Sequence, residues 1–285
     1  MNFDGNADLC IIKVIADSKA DTLATKALAK QLGLPIADGK TDTDSWRLLV
    51  ASEVRTLIRP DGARMNIDFT QGKAALRQAQ PSKDQSLVRA LGLHKLKQAQ
   101  RQATHVIDAT AGLGQDGWII ACQGCKTIWL EESPLVAVML QHAIDHATRQ
   151  PAIAGIANNV EVMNVRSQDY FAQLNNSAAN KPARPDIIYL DPMFPAKKKQ
   201  AKVKKGMQFL QALLPETDNT HLLQHALDAA TNRVVVKRPA GAAVMAGTEN
   251  WNGQLTTVET DATRFDIYHI LEQASSLLVT KILKL

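Results

Sequence analysis

Apolar and polar residues follow two different periods along the chain. From residue 104 onward, apolar runs of strand length are separated by stretches in which apolar residues recur at helical spacing. Short runs without polar interruption are typical of strands that a parallel sheet buries on both faces. This alternation predicts an α/β fold with a mostly parallel, doubly wound sheet of seven strands. The predicted strands are 104–109, 126–130, 160–165, 187–190, 233–237, 254–260 and 265–271, and the predicted helices are one ending at Ala121, 134–146, 207–214 and 221–230.

Residues 1–85 follow another pattern, which predicts a small N-terminal α+β domain. A β-rich run at 9–16 precedes helical spacing at 21–32, for which Gly33 is the expected end. Short strands are predicted at 46–51, 54–59 and 65–69. The polar, basic stretch 70–97 then leads into the second domain, 86–285. This stretch is either a linker with solvated charges or a surface that meets RNA phosphates.

A glycine-rich loop follows the first strand of the second domain. Asp108 precedes A-T-A-G-L-G-Q-D-G, in which Gly112, Gly114 and Gly117 have the spacing G-x-G-x-x-G between a strand and a helix. Glycines there let the backbone approach a ligand, and the helix N-terminus offers unpaired N–H groups. The motif fits a dinucleotide and S-adenosylmethionine (SAM) equally well. Asp108 can orient the loop or meet the cationic end of a cofactor.

Polar side chains also follow the next two strands. Glu131 and Glu132 come directly after strand 126–130, where a carboxylate can accept both hydroxyls of a ribose. Strand 160–165 is followed by R-S-Q-D. Side chains at this position are expected beside an adenine ring, and Gln168 or Asp169 can accept its N6 amine.

Strand 187–190 ends at a D-P-M-F sequence with a distinct chemical signal. Pro192 cannot donate to a ladder and biases Asp191 away from helix, so the strand stops there. A flat heterocycle can stack on Phe194 while its exocyclic amine donates to Asp191. The stretch resembles the D/N-P-P-Y/F signature of methyltransferases acting on nucleobase amines, with Met193 in place of the second proline. The alternative is a strand-to-loop turn whose proline and phenylalanine only pack.

Positive charge is concentrated next to this motif. The formal net charge is +5, and six of the nine residues 197–205 are lysines. Their position beside a candidate base pocket predicts contacts with RNA phosphates, which add affinity and salt dependence without reading sequence. A solvated loop is the alternative. The predicted RNA-binding residues are Lys197, Lys198, Lys199, Lys202, Lys204 and Lys205, with the basic pair Lys237 and Arg238 that ends strand 233–237. For this pair, a capping or packing role is an equal alternative.

Other features argue against metal, disulfide and membrane roles. Cys122 and Cys125 form a C-x-x-C pair, but no second pair completes a zinc site. His142 and His146 have zincin spacing without the glutamate of H-E-x-x-H. No apolar stretch approaches the roughly 20 residues that span a bilayer. The first residues include acids and no basic segment, so no secretory signal is expected and a cytoplasmic location is predicted.

Several motifs in combination resemble one family. They are D-A-T-A-G-L-G-Q-D, W-L-E-E-S-P-L-V-A, Y-L-D-P-M-F-P and V-V-V-K-R-P, and R-F-D-I-Y at 264–268 extends the likeness. The combination resembles the RsmJ family of bacterial 16S rRNA guanine-N2 methyltransferases, whose name places their target at guanine 1516. The resemblance implies a Rossmann-like class I methyltransferase domain, SAM as the cofactor, and 16S rRNA or the small ribosomal subunit as the partner.

The resemblance also implies roles for individual residues. Asp191 and Phe194 are the predicted catalytic residues: Asp191 holds the amine, and Phe194 stacks on the base. No metal is implied. Cofactor contacts are expected at the glycine loop, at the ends of the second and third strands and at D-P-M-F. With the residues named above, the predicted cofactor-binding set is Asp108, Gly112, Gly114, Gln115, Asp116, Glu131, Glu132, Ser167, Gln168, Asp169 and Asp191.

Three other functions fit parts of the sequence. An NAD-dependent oxidoreductase shares the glycine loop, although D-P-M-F has no role in hydride transfer and no catalytic His or Tyr motif is evident. A basic RNA-binding module with a vestigial cofactor fold would bind RNA with steep salt dependence and would bind no cofactor. A DNA adenine methyltransferase is the nearest chemical neighbour, since adenine N6 is also an exocyclic amine.

Overall fold

The computed structural model describes most of the chain and places it in two sheets. The described residues are 12–37, 44–72, 74–75, 85–176, 184–192, 206, 209, 213, 219–246, 248 and 251–270. Within them, a four-stranded sheet precedes a seven-stranded sheet along the chain.

The four-stranded sheet is built from the N-terminal residues. Its strands lie in the order β1-β2-β3-β4, with β1 and β2 parallel and the other neighbours antiparallel. Helix α1 connects the parallel pair and ends at Gly33, whose φ of 65° is the left-handed conformation that glycine adopts without strain. The predicted α+β unit is therefore present. Its elements are β1 (Ile12–Ala16), α1 (Thr22–Leu32), β2 (Trp46–Val50), β3 (Arg55–Ile58) and β4 (Arg64–Asn66).

The seven-stranded sheet confirms the predicted α/β fold. Its order is β10-β11-β9-β8-β5-β6-β7; β11 pairs antiparallel with both β10 and β9, and the other described pairs of this sheet are parallel. The strands are β5 (His105–Asp108), β6 (Lys126–Glu131), β7 (Val160–Asn164), β8 (Ile187–Leu190), β9 (Arg233–Pro239), β10 (Gln254–Glu259) and β11 (Thr263–His269). The helices are α2 (Ser86–Ala90), α3 (Gln98–Ala103), α4 (Gln115–Ala121), α5 (Pro134–Thr148), α6 (Ala154–Ala157), α7 (Ser167–Asn176) and α8 (Leu222–Ala229).

The strand order creates a crevice at the centre of the sheet. The chain adds β6 and β7 on one side of β5 and then returns to add β8 and β9 on the other side. In open α/β sheets, ligands bind outside the carboxyl ends of the strands where the order reverses in this way. Here that position lies between β5 and β8, which end at Asp108 and Leu190.

The structure differs from the predicted elements in several places. β9 continues two residues past its predicted end, because residues through Pro239 pair with β11. Helices α3, α6 and α7 were not predicted. The predicted helix 207–214 and the end of the chain fall largely outside the described residues.

One hydrophobic cluster contains residues from both sheets. Val14 and Leu48 of the small sheet share it with Trp129 of the large sheet and with Trp118 on helix α4. Arg55 on β3 adds a polar contact, since its Nη1 donates to the carbonyl oxygen of Val138 on α5 at 2.7 Å. The boundary between domains 1–85 and 86–285 stays a prediction, but the two regions share one core.

Candidate active site

The glycine-rich loop lies between β5 and α4 and depends on three glycines. Gly112 and Gly114 have φ values of 51° and 68°, and Gly114 is the N-cap of α4. Gly117 has another reason to be glycine: a Cβ there would lie 2.6 Å from the ring of Trp129. The loop thus has the conformation and the close helix–strand packing that let backbone N–H groups face a ligand.

Glu131 supports this loop from the end of β6. Its Oε2 accepts the N–H of Gly112 at 2.9 Å, and its Oε1 accepts the N–H of Ser133 at 2.8 Å. Burial raises the pKa of Glu131 to about 7, against the effect of these two hydrogen bonds. Glu132 is exposed at the same strand end. Of the two predicted ribose-binding carboxylates, Glu131 is engaged with the loop backbone and Glu132 faces solvent.

Asp108 is buried below the loop. Asp108 is only 2% exposed, and its carboxyl oxygen Oδ1 accepts the N–H of Thr110 at 3.2 Å. Burial raises the pKa of Asp108 to about 8, and the neighbouring carboxylates Asp116 and Asp191 act in the same direction. A cation brought close to this group would favour its ionised form.

Lys237 lies between two carboxylates at the mouth of the crevice. Its Nζ donates to Oδ2 of Asp116 and to Oδ2 of Asp191, each at 2.7 Å. The hydroxyl of Tyr189 donates to the same oxygen of Asp116 at 2.7 Å. Burial lowers the pKa of Lys237, but the attraction of Asp191 and Asp116 outweighs burial and raises it, so the side chain remains an ammonium. We call Asp116, Tyr189, Asp191 and Lys237 the carboxylate–lysine network.

Asp191 is also held through its backbone. Its N–H donates to Oγ1 of Thr110 at 2.6 Å, which ties the D-P-M-F turn to the glycine loop. The hydroxyl of Ser167, at the start of α7, donates to the carbonyl oxygen of Ala109 in that loop. The ends of β5, β7 and β8 are therefore joined by hydrogen bonds, and the structure brings these predicted cofactor-binding residues together.

The other predicted adenine contacts lie on the first turn of α7. Oε1 of Gln168 accepts a hydrogen bond from Nη2 of Arg166 at 2.6 Å. Asp169 is paired with the same arginine at 3.9 Å, with both side chains largely exposed. Both residues lie at the strand end where the sequence predicts adenine recognition, and Gln115 opens α4 beside the glycine loop.

Both residues of the basic pair of β9 contact groups within the protein. Successive strand residues point to opposite faces, so Lys237 and Arg238 diverge because β9 continues through both. Arg238 is only 9% exposed, and its Nη2 donates to the carbonyl oxygen of Ala243 at 2.5 Å. Lys237 is engaged by two carboxylates. The predicted phosphate contacts of this pair stay a prediction.

Two groups of predicted residues lie outside the described part of the chain. They are Phe194, with Met193, and the lysines Lys197, Lys198, Lys199, Lys202, Lys204 and Lys205. Within the described residues there is no cluster of three or more His, Cys, Asp or Glu side chains suited to a metal ion. None of the helices in this part of the chain is long and apolar enough to cross a bilayer.

Sequence reasoning did not predict three contacts of the site. Thr110 anchors Asp191, Tyr189 donates to Asp116, and Lys237 joins the two acids. A hydroxyl inside the glycine loop and a lysine at the end of a predicted central strand were visible in the sequence. Their partners were not visible, because those depend on which strands become neighbours.

Comparison with known proteins identifies the class. The chain matches the SAM_MT family model, a family of SAM-dependent methyltransferases, over residues 27–270. It also resembles the crystal structure of a SAM-dependent methyltransferase from Neisseria gonorrhoeae, with a TM-score of 0.64 and 24% identity, covering 93% of this chain and 99% of that one. The fold and the family match define a class I SAM-dependent methyltransferase, with SAM as the cofactor. This result excludes the dinucleotide alternative for the glycine loop.

Sequence relatives narrow the class further. The chain is 37% identical over 262 residues to ribosomal RNA small subunit methyltransferase J of Aeromonas hydrophila, covering 90% of this chain and 97% of that protein. It is 34% identical over 257 residues to the methyltransferase J of Nitrosococcus oceani, covering 88% and 96%. The chain belongs to the ribosomal RNA small subunit methyltransferase J family, as its motifs predicted.

Proposed function

We propose that this protein transfers a methyl group from SAM to the exocyclic N2 of a guanine in 16S rRNA. The names of its relatives support small-subunit rRNA as the substrate class. The observation that carries the choice of an exocyclic amine is the position of Asp191, which follows β8 and is tied to the glycine loop through Thr110. The motif resemblance adds guanine 1516 as the proposed target. An rRNA substrate also supports the predicted cytoplasmic location.

The residues around the crevice suit SAM because the cofactor carries positive charge. Asp116 and Asp191 share the single ammonium of Lys237, which balances only part of their charge. The approach of a cation would favour the ionised form of the nearby Asp108. Asp116, Gln115 and the exposed Glu132 would hold the cofactor together with the glycine loop, and Gln168 or Asp169 would recognise its adenine. When bound, SAM supplies an activated methyl group on a sulfonium, so the protein mainly orients the reactants and excludes water.

Asp191 has two roles in this proposal. Its carboxylate accepts a hydrogen bond from guanine N2, which orients the nitrogen lone pair toward the donor methyl. It also stabilises the positive charge that develops on N2 and receives the proton that N2 loses. Stacking of the base on Phe194 remains a prediction from the sequence, as do phosphate contacts from the lysines of 197–205.

Methyl transfer to purified small subunits and to 16S rRNA, with labelled SAM, tests this function. We expect the label in N2-methylguanine, and mapping of modified nucleotides shows whether guanine 1516 carries it. Asp191→Ala should abolish transfer while the protein stays folded. Asp228→Ala, which removes an exposed acid on α8, should leave transfer unchanged. Near-normal turnover by Asp191→Ala, or label in adenine, would contradict the proposal.

A further inference from the structure

Lys237 joins two parts of the site that are far apart in the chain. Leu190 at the end of β8 pairs with Val236, so Lys237 follows on the neighbouring strand just where β8 gives way to Asp191. From there Nζ reaches Asp191 and, 121 residues earlier in the chain, Asp116 on α4. The lysine is thus part of the same crevice edge as the proposed amine-binding carboxylate.

The ammonium separates two carboxylates that would otherwise face each other. Each Oδ2 is 2.7 Å from the same nitrogen, so the two oxygens are at most about 5.4 Å apart, twice that distance. Like charges this close in a half-buried crevice repel each other. Lys237 is 29% exposed and already donates to both acids. A phosphate would have to compete with both carboxylates for this ammonium.

We propose that Lys237 is a positioning residue of the methyl-transfer site: its ammonium fixes the carboxylate of Asp191 against helix α4 in the orientation that receives the exocyclic amine. This inference rests on the proposed function, because that function gives Asp191 its role. It differs from the RNA phosphate contact that the sequence predicts for Lys237. Lys237 itself does not act as a base, since it remains an ammonium.

The charged and titratable groups around Asp191 come from four elements. They are Asp108 on β5, Asp116 on α4, Tyr189 on β8 and Lys237 on β9. Three of the four are acids, and Lys237 is the cation among these described groups. Its removal therefore favours the protonated form of the neighbouring carboxylates.

The test compares Lys237→Met with Lys237→Arg, which keeps the charge. Lys126→Met, an exposed lysine at the opposite end of β6, is the matched control. For Lys237→Met we expect kcat to fall by about 100-fold with little change in KM for RNA, because Asp191 is misplaced. Lys237→Arg should recover part of kcat. The acid limb of the pH–rate profile should move to higher pH in Lys237→Met and should stay in place in Lys126→Met.

A binding measurement tests the same idea without turnover. SAM carries one more positive charge than S-adenosylhomocysteine, so a site that has lost an ammonium should favour SAM more strongly. We expect calorimetry to show the ratio of the two Kd values shifting toward SAM by up to about tenfold in Lys237→Met. Thermal unfolding confirms that the variant is folded. If it is not, Lys237→Gln, which keeps N–H donors without charge, takes its place.

Each contrary result has a distinct meaning. An unchanged kcat with a raised KM for RNA and a weaker salt dependence would overturn the inference and make Lys237 a phosphate contact. If Lys237→Met leaves both the acid limb of the pH–rate profile and the ratio of the two Kd values unchanged, the inference is also overturned. Lys237 would then have only a structural role. If the unaltered protein methylates no rRNA, the proposed function fails and the amine-positioning role of Lys237 fails with it, whereas the Kd ratio still shows whether the Lys237 ammonium contributes to the charge at the cofactor site.

Discussion

The ring of Phe69 is stacked on the ring of Trp118, with their centroids 4.6 Å apart and their planes 17° from parallel. Phe69 follows the last strand of the N-terminal sheet, and Trp118 belongs to α4, the helix that the glycine loop opens. A Cβ on Gly114 would lie 3.0 Å from the Phe69 ring, so the stack reaches the loop itself. The N-terminal region therefore supports the cofactor side of the crevice.

Phe69→Ala should destabilise the protein by about 3–5 kcal/mol, because it leaves a cavity between two buried rings. It should also weaken SAM binding, since the helix behind the glycine loop loses its support. Urea unfolding and calorimetry measure the two effects. Leu23→Ala is the control: that leucine is 80% exposed, and its removal should change stability by less than about 0.5 kcal/mol. An equal loss of unfolding free energy in the two variants would contradict a core shared by the two regions.

Gly117→Ala should reduce stability by about 1–3 kcal/mol and lower the affinity for SAM. The added methyl would lie 2.6 Å from Trp129 and 3.0 Å from Oδ2 of Asp108, and neither buried group can move without disturbing the loop. Gly155→Ala is the matched control on α6. Nothing lies within 4 Å of its Cβ position, so stability should be unchanged or raised by up to about 1 kcal/mol. A neutral Gly117→Ala would refute the close packing described here.

Thr110→Val should lower kcat by roughly tenfold or more while the fold is kept. The substitution preserves shape but removes the hydroxyl that accepts the N–H of Asp191, and the loss of one such bond costs about 1–3 kcal/mol. Thr110→Ser keeps the acceptor and should retain most activity. Single-turnover kinetics separate this effect from product release. Equal rates of methyl transfer in Thr110→Val and Thr110→Ser would show that the Thr110 hydroxyl does not position Asp191.

The stability of the protein should fall as pH rises from about 4 to about 8, in part through Asp108. Burial raises the pKa of Asp108 from an ordinary 3.8 to about 8, so between these values the folded state keeps a proton that the unfolded state releases. Each pH unit in this window costs at most about 1.4 kcal/mol, and the loss levels off above pH 8. Asp108→Asn should show a smaller decline between pH 5 and pH 9 in urea unfolding. An identical decline would show that Asp108 does not titrate in this window.

Sequence patterns predicted the buried strand that Asp191 follows, and they did so for a physical reason. An apolar run of four residues ending at a proline can be a buried strand that stops abruptly, and β8 is buried at all four positions. The mostly parallel, seven-stranded character of the sheet likewise follows from alternating strands and helices. These features depend on local periodicity, which a single sequence contains.

The partners of each side chain could not be predicted in the same way. Whether Arg238 is exposed depends on pairing between β9 and β11, which extends β9 to Pro239 and turns Arg238 inward. The contact between Lys237 and Asp116 joins residues 121 positions apart, and the local pattern of apolar and polar residues does not predict it. No helix is predicted after the third strand, where α7 lies in the structure.

The chain separation within the carboxylate–lysine network has a consequence for biosynthesis. Asp116 and Asp191 leave the ribosome well before Lys237, so a nascent chain has both acids in place before the residue that neutralises them. Pairing β9 with β8 is a late, non-local event that must close a long loop. Competence for methyl transfer should therefore appear near the end of translation, and chains that terminate before β9 should be inert even where their central strands have formed.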